Sequence, residues 1–287
     1  MTKWPLSLFK NNPSLQPDSE RSGAQVPLQI LSDLHLEATN AYESFEIPPR
    51  SPYLVLAGDV GRLVDYDAYL AFLQRQTAQF ELVFLVLGNH EFYEFSHKEG
   101  IEKARQLANE PVLNGRLILL QRERYNIPES KVTILGCTLW SSIAADKQKN
   151  IQMRVQDYVK IQGWSTQSHN EAHSQDLAWL KDQVRHVREE GDRKIVVITH
   201  HAPMMKHTSA PQHKDSPVAS AFGSDLLVSR RMKEWDGVKV WVYGHTHFTT
   251  DFDKGGVRVI SNQRGYAMPW MEDDKGFNPE KVVHVAY

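Results

Sequence analysis

The stretch ELVFLVLGNH, residues 81–90, begins with an apolar run and ends in a glycine, an amide and an imidazole. A continuous apolar run of this length is typical of a strand buried on both faces, as in a parallel sheet. Buried polar side chains need polar partners. The side chains of Asn89, His90 and the following Glu91 must therefore contact such partners. The stretch therefore predicts a central strand with a polar site at its end.

Similar apolar runs recur along the chain. We interpret as strands residues 27–35, 51–59, 116–121, 131–140, 194–201 and 239–247, with weaker signals at 255–266 and 281–287. Residues 65–80 place apolar side chains at helical spacing, and a second helix is predicted around residues 172–190. Strands that alternate with helices predict an α/β fold that contains a β-α-β unit.

The chain has 287 residues, near the upper end of what one hydrophobic core supports. Residues 1–25 contain several prolines and serines and one glycine, so we predict a loose N-terminal tail there and a single domain over residues 26–287. The segment 202–223 is long, rich in proline and serine, and without periodicity. Such a segment is typical of either a functional loop or a surface insert.

The composition argues against several classes of protein. Hydrophobic residues make up 41% of the chain and charged residues 24%, which are ordinary globular values. The formal net charge of -2 provides no overall positive field, so we expect no long nucleic acid as a partner. The single Cys137 rules out an internal disulfide and fits a reducing compartment. With neither a signal-peptide pattern nor an apolar run of about 18 residues, we expect a cytoplasmic protein without membrane contact.

Polar side chains follow five of the predicted strands. They are Asp33 and His35, Asp59, Asn89 and His90, His200 and His201, and His245 and His247. Because the carboxyl ends of parallel strands lie at one edge of a sheet, these side chains can meet there. Carboxylate, imidazole and amide groups are ligands for divalent transition metals. The set therefore predicts a metal site.

The spacing inside the set also matters. Asp33 and His35 are two residues apart, as are His245 and His247. On extended backbone such pairs point the same way, so we expect each pair to converge on a single site. Glycines precede three of the candidate ligands, where a sharp bend favours a residue without Cβ. These glycines are Gly58, Gly88 and Gly244.

The motifs DLH, GD, GNHE, THH and GHTH occur in this order between residue 28 and about residue 250. Each motif alone is a weak signal, but the ordered combination resembles the calcineurin-like metallophosphoesterase superfamily. The resemblance implies an αββα sandwich of two mixed β-sheets flanked by helices, with two metal ions at one edge. It also implies hydrolysis of phosphate esters. Ligands of this type accept manganese, iron and zinc alike, so the sequence leaves the choice of metal open.

The resemblance further implies a set of ligands. Asp33, His35, Asp59 and His247 would hold one metal ion. Asp59 would bridge to the second ion, which Asn89, His200 and His245 complete. His90 is similar to the family's non-ligating histidine beside the substrate.

Four side chains near these motifs have roles that the sequence leaves open. His200 and His201 are adjacent, so on a strand they point to opposite faces. We favour His200 as the ligand because it directly follows an apolar run, and His201 would then pack in the interior or contact the substrate. Arg62 either reaches a substrate phosphate or is an ordinary solvated side chain. Glu91 orients His90, bonds to the backbone, or lies on the surface.

A dinuclear site with two carboxylates and otherwise neutral ligands keeps a net positive charge, which attracts a phosphate ester. A hydroxide that bridges the metals would attack phosphorus, and His90 would protonate the leaving group. We therefore predict hydrolysis of a phosphodiester or phosphomonoester in a small substrate, such as a cyclic nucleotide or an organic phosphodiester. The alternatives are a nuclease and a catalytically inactive scaffold with the same fold.

Overall fold

A computed structural model describes residues 24–213, 215–266 and 276–287 of the chain. In chain order the strands are β1 (Gln25–Leu31), β2 (Tyr53–Ala57), β3 (Leu82–Val86), β4 (Leu117–Leu119), β5 (Glu123–Asn126), β6 (Val132–Cys137), β7 (Lys194–Thr199), β8 (Val238–Tyr243), β9 (Asp251–Lys254), β10 (Val257–Ser261) and β11 (Val282–Ala286). The α-helices are α1 (Tyr66–Gln79), α2 (His97–Ala108), α3 (Gln148–Arg154), α4 (Asp157–Lys160) and α5 (Thr166–Glu190).

The strands form two mixed sheets. One sheet has the order β11-β1-β2-β3-β4, and the other has the order β5-β6-β7-β8-β10-β9. The edge strands β11, β5 and β9 pair in the antiparallel sense, whereas the remaining pairs are parallel. The parallel strands of each sheet therefore place their carboxyl ends at one edge.

Both sheets are buried on their two faces, which explains the continuous apolar runs of the sequence. In β7, Val196 and Ile198 pack between the sheets, while Ile195 and Val197 pack on the outer side, beneath α5. The strands β2 and β3 alternate in the same way between the inter-sheet core and the outer core beneath α1.

Helices cover the outer faces of the sandwich. Helix α1 buries Tyr69 and Leu73 in the outer core of the first sheet. Helix α5 buries Leu180, Val184 and Val187 against the second sheet. Full burial of a side chain of this size stabilises the fold by roughly 1.5–3 kcal/mol. The layers confirm the predicted αββα sandwich.

The ends of two helices follow from local chemistry. The Ser96 hydroxyl accepts a hydrogen bond from the Glu99 amide and the Glu99 carboxylate accepts one from the Ser96 amide, so a capping box begins α2. Ser165 caps the start of α5, and Gly191 follows its end with a φ of 138°. A glycine there tolerates a φ that other residues rarely adopt.

Nine of the eleven strands that the structure describes had been predicted from apolar runs. The two others, β5 (ERYN) and β9 (DFDK), are short, polar edge strands without an apolar signal. Helix α5 begins at Thr166 rather than near residue 172. Of the predicted tail over residues 1–25, all but residues 24 and 25 lie outside the described residues. No helix in the described ranges has both the length and the apolar character needed to cross a bilayer.

Candidate metal centre

The candidate ligands lie in the turns that follow the strands. Five of them have a positive φ, namely Asp33 (52°), His35 (44°), Asp59 (51°), His245 (71°) and His247 (49°). This left-handed region is uncommon for residues other than glycine and costs about 1–3 kcal/mol where it is strained. The expectation of extended backbone at these positions was therefore wrong, and tight turns bring the side chains together instead.

The first group of side chains comprises Asp33, His35 and His247. The Nε2 atoms of His35 and His247 lie 2.9 Å apart, and His247 Nε2 lies 3.5 Å from Asp33 Oδ1. One ligand atom from each of the three side chains lies within 4.8 Å of the other two. Two imidazole nitrogens and a carboxylate at this separation can share one cation.

The second group comprises Asp59, His200 and His245, with Asn89 beside them. His200 Nε2 lies 3.1 Å from His245 Nδ1 and 3.1 Å from Asn89 Oδ1. The same nitrogen lies 3.3 Å from Asp59 Oδ2. All four side chains are buried. The group thus offers two imidazoles, a carboxylate and an amide oxygen to a second cation.

Asp59 lies between the two groups. Its Oδ2 is 3.3 Å from His200 Nε2 in the second group and 3.8 Å from His35 Nε2 in the first. The GHTH pair, by contrast, is divided, because His247 belongs to the first group and His245 to the second. The two histidines of this pair therefore belong to the same site but to different groups within it, whereas Asp33 and His35 belong to one group.

The electrostatics of the centre favour bound positive charge. Burial would lower the pKa of His200, but the charges of Asp59 and Asp33 raise it to about 10. Burial would raise the pKa of Asp59, but the surrounding charges of His200 and His90 hold it well below its usual range. A protonated His200 thus supplies, in the apoprotein, the positive charge that these carboxylates require. The donor set and its charge fit two divalent transition metals.

The orientation of the Asn89 amide is fixed by a buried partner. Its Nδ2 donates to Asp157 Oδ1 at 2.8 Å, and the Tyr93 hydroxyl donates to the same oxygen at 3.0 Å. Because the amide nitrogen is held by an acceptor, the amide oxygen faces His200 and the second group. Asp157 and Tyr93 were not identified from the sequence as parts of the centre.

The glycines beside the ligands are required mainly by close approach. A Cβ on Gly88 would lie 2.1 Å from Asp59 Oδ1, and one on Gly244 would lie 2.6 Å from Asp33 Oδ2. Only Gly58 also has a positive φ, of 89°. The predicted need for a residue without Cβ therefore comes from the packing of the carboxylates at Gly88 and Gly244, rather than from a sharp bend.

His90 lies at the edge of the centre, held by a carboxylate that sequence analysis missed. Its Nδ1 lies 2.8 Å from Glu37 Oε1, and the same oxygen lies 3.3 Å from Nδ1 of His35. Burial would lower the pKa of His90, but the charge of Asp59 and the hydrogen bond to Glu37 raise it to about 9. With the Nδ1 protons of His35 and His90 directed at Glu37, the Nε2 atom of each ring faces the centre.

Tyr266 covers part of the first group. Its hydroxyl lies 3.3 Å from His90 Nε2, and its ring stacks on that of His35 with centroids 4.4 Å apart. It also contacts the ring of His247 edge-on. Because an isolated tyrosine carries no motif, this contact could not be predicted from the sequence.

Glu91 bonds to the backbone, one of the three roles left open for it. The side chain is fully buried. Its Oε2 accepts hydrogen bonds from the amides of Gly88 (2.7 Å) and Asp59 (2.9 Å), and its Oε1 accepts from the Val60 amide (2.9 Å) and the Tyr69 hydroxyl (3.0 Å). The carboxylate therefore ties the turn after β2 to the turn after β3, and so fixes the position of Asp59.

The side chains of the two predicted substrate contacts, His201 and Arg62, have other partners in the structure. His201 is fully buried, with its ring 4.1 Å from that of His245 and 5.2 Å from that of Trp140, which favours the packing role. Arg62 forms a two-point ion pair with Asp65 and lines a shallow depression beside Glu37. A substrate contact by either residue stays a prediction.

A cavity of about 600 Å³ opens beside the centre and reaches Asp59, Asn89, His90, His245 and His247. Its opposite wall comes from the predicted loop of residues 202–223. The base of this loop is closed by hydrogen bonds from the Ala202 amide to the Phe222 carbonyl and from the Ser224 amide to the Ala202 carbonyl. The loop thus shapes the space in front of the ligands, which favours a functional role over a surface insert.

Comparisons with known proteins agree with this geometry. Residues 27–248 match the family model described as calcineurin-like phosphoesterase. An uncharacterized protein of Acanthamoeba polyphaga mimivirus is 27% identical over 284 residues, which cover 90% of this chain and 96% of that protein.

Two solved structures share the fold. The phosphopantetheinyl hydrolase of Mycobacterium tuberculosis is similar with a TM-score of 0.64 and 19% identity, over 85% of this chain and 91% of that one. A dimetal phosphatase from Danio rerio is similar with a TM-score of 0.52 and 13% identity, over 91% of this chain and 99% of that one. At these identities the two structures establish the architecture alone.

Proposed function

Because the chain belongs to the calcineurin-like phosphoesterase family, we propose that it hydrolyses phosphodiester or phosphomonoester bonds of a small substrate with two divalent transition metal ions. The observation that carries the proposal is the position of Asp59. Its Oδ2 faces His200 Nε2 at 3.3 Å and His35 Nε2 at 3.8 Å. A carboxylate between two ligand groups is suited to two adjacent metals.

The assignment of ligands follows the two groups. Asp33, His35, Asp59 and His247 would hold one ion, and Asp59, Asn89, His200 and His245 would hold the other. Manganese, iron and zinc all accept this combination of oxygen and nitrogen ligands. When bound, the two ions would supply a nucleophilic hydroxide and stabilise the charge that develops on the phosphoryl oxygens.

His90 is the proposed general acid. Its Nδ1 is held by Glu37 at 2.8 Å, so that its Nε2 points toward the cavity, 4.0 Å from Asp59 Oδ2. A proton on Nε2 can pass to the oxygen of a leaving group beside the centre. General acid catalysis of this kind contributes about 10²–10⁴-fold to the rate.

The shape of the site supports a small substrate. The cavity of about 600 Å³ lies within the range of small-molecule sites. The formal net charge of -2 argues against a long nucleic acid, and therefore against the nuclease alternative. The grouping of every implied ligand argues against an inactive scaffold, which should have lost one or more of them.

The proposal is tested by metal analysis together with a panel of substrates. We expect the purified protein to bind about two transition metal ions per chain. With manganese, iron or zinc it should then hydrolyse some of a panel of nitrophenyl mono- and diesters, 2′,3′- and 3′,5′-cyclic nucleotides and a phosphopantetheinyl ester, the last chosen from the name of the mycobacterial fold neighbour.

The control is Asp59→Asn, which keeps the shape of the side chain but removes its charge. This variant should lose both the stoichiometric metal and the hydrolysis. A wild-type protein that binds two metals and hydrolyses none of the esters would contradict the proposed function.

A further inference from the structure

The cavity is much larger than a phosphate group, and its walls beyond the metal centre are largely apolar. The apolar lining residues include Tyr93, Met204, Val218, Phe222 and Phe248. Phe222 stacks on the ring of the candidate ligand His245, with centroids 4.7 Å apart. The apolar wall therefore begins directly at the centre, where it can contact the organic part of a phosphate ester.

The charges that line the cavity are unevenly distributed. The carboxylates that line the cavity, Asp59 and Asp157, are both buried and already have partners. Asp59 faces the two ligand groups, and Asp157 accepts hydrogen bonds from Asn89 and Tyr93. Arg154 is the one lysine or arginine among the described lining residues. Apart from the histidines of the centre, His213 is the other basic side chain among the described lining residues.

Arg154 has no partner of its own within the described part of the chain. The guanidinium makes neither an ion pair nor a hydrogen bond there, unlike Arg62, which is held by Asp65 at 2.9 Å. A guanidinium has several N–H donors in one plane, and two of them can form parallel hydrogen bonds to a carboxylate or a phosphate. Its free donors therefore suit an anionic ligand group.

Arg154 lies close in the chain to a residue that holds a candidate ligand. Arg154 is the last residue of α3, and it precedes Asp157 by three residues. Asp157 in turn holds the amide of Asn89, a ligand of the second group, at 2.8 Å. Three residues span at most roughly 10 Å between Cα atoms. Because Arg154, Asp157 and Asn89 all line the same cavity, one ligand in it can contact both the guanidinium and the metal centre.

On these observations, and resting on the proposed function, we propose that the substrate carries a second anionic group, a carboxylate or a phosphate, which Arg154 binds. The reacting phosphate lies at the metal centre, and the second anion lies at the α3 end of the cavity. A largely apolar segment joins the two and packs on Phe222 and its neighbours. Arg154 is thus a specificity-determining residue.

Binding of phosphonates tests this inference without a need for turnover. The probes are alkylphosphonates of graded chain length whose far end is a carboxylate, a phosphate or an uncharged carboxamide. Each is titrated calorimetrically into the manganese-loaded protein. We expect the wild type to bind the charged probes of the best length about 3- to 10-fold tighter than the carboxamide probe.

Three variants show whether this preference comes from Arg154. Arg154→Gln should bind the charged and uncharged probes equally, whereas Arg154→Lys should keep part of the preference. The matched control is Lys149→Gln, because Lys149 is exposed on the same helix but does not line this cavity. This control should keep the full preference.

The outcomes separate the inference from the proposed function. The inference is overturned if Arg154→Gln keeps the wild-type preference, or if the wild type binds charged and uncharged probes equally or binds neither. Hydrolysis of the ester panel by a protein without the preference overturns the inference alone. The full preference in a protein that hydrolyses no ester supports the inference and overturns the proposed function.

Discussion

The Asp157 carboxylate accepts a hydrogen bond of 2.8 Å from the side-chain amide of Asn89. Both residues are buried, and Asp157 lies 68 positions further along the chain. Because an acceptor holds the amide nitrogen, the amide oxygen must face the other way, toward His200 Nε2 at 3.1 Å. Asp157 thus determines which atom of Asn89 is offered to a metal.

Removal of this acceptor should weaken metal binding. We expect Asp157→Ala to lower the affinity for the second metal about 10- to 100-fold, because partners of this kind orient metal ligands. Calorimetric titration of manganese into the apoprotein measures the effect. Asp157→Asn is the matched control, since its amide oxygen still accepts from Asn89, and its affinity should stay within about threefold of the wild type. Equal losses in the two variants would show that charge, rather than orientation, is what Asp157 provides.

Glu37 should act on the reaction through His90. Its Oε1 lies 2.8 Å from His90 Nδ1. Without the carboxylate, His90 is no longer held with Nε2 toward the leaving group. We expect Glu37→Ala to lower kcat about 10²-fold on alkyl esters, which need a proton at the leaving oxygen, and less than about 10-fold on nitrophenyl esters. His90→Ala should show the same dependence on the leaving group.

The assay of Glu37→Ala is run at saturating metal, because Glu37 also contacts Nδ1 of the candidate ligand His35 at 3.3 Å. Glu43→Ala removes an exposed carboxylate nearby in the chain and should leave kcat unchanged on both ester types. If Glu37→Ala lost the same factor on alkyl and nitrophenyl esters, Glu37 would support the metal site rather than the proton donor.

The fold could be predicted largely from the sequence because its strands are buried on both faces. Continuous apolar runs located β2, β3, β6, β7 and β8, and the ordered motifs at their ends identified the family, which the family model confirms. The polar edge strands were missed because their sequences lack an apolar signal. Helix α2 was missed because its buried face is built largely from small residues, with Gly100 and Ala104 beside Leu107. Their positions depend on pairing with β6 and β10 and on the outer core of the first sheet.

The candidate ligands could be named from the sequence and its family resemblance, but the geometry that brings them together could not. The sequence placed the ligands at strand ends but assumed extended backbone, whereas five of them lie in left-handed turns. Those turns are held by contacts that are distant in sequence, such as the bond of 2.8 Å from the His245 amide to Asp33 Oδ1. Glu37, Asp157 and Tyr266 carry no motif, so only the fold reveals that they contact the ligands.

Glu91 should be essential for stability because its buried carboxylate accepts from three backbone amides and the Tyr69 hydroxyl at 3.0 Å or less. Glu91→Gln replaces one acceptor oxygen with an NH₂ that faces backbone donors. We expect it to lower the free energy of unfolding by roughly 2–4 kcal/mol, measured by denaturant titration. Tyr69→Phe, which removes one donor, should cost about 1 kcal/mol. The exposed control Glu94→Gln should change the free energy of unfolding by less than about 0.5 kcal/mol. An equally small effect of Glu91→Gln would show that the two turns are stable without this carboxylate.

A buried histidine outside the metal centre should make the stability depend on pH. His169 lies on α5, and its Nε2 accepts a hydrogen bond of 3.1 Å from the Ser141 amide. Burial, with a contribution from the charge of His173, lowers the pKa of His169 from 6.5 to about 3. Between these two values the unfolded chain binds a proton that the folded chain does not.

The stability that neutral His169 contributes is therefore fully present above pH 6.5 and is lost as the pH falls from there toward 3. With these pKa values the loss at pH 5 is about 2 kcal/mol relative to pH 7.5. We expect His169→Gln to reduce the difference in unfolding free energy between these two pH values by about that amount, because Gln accepts from Ser141 but does not titrate. The control is His284→Gln, which removes an exposed histidine that forms no ion pair within the described residues. This variant should leave the difference unchanged. Unfolding by denaturant at both pH values measures the effect. An unaltered pH dependence in His169→Gln would mean that His169 binds a proton as readily in the folded chain as in the unfolded chain.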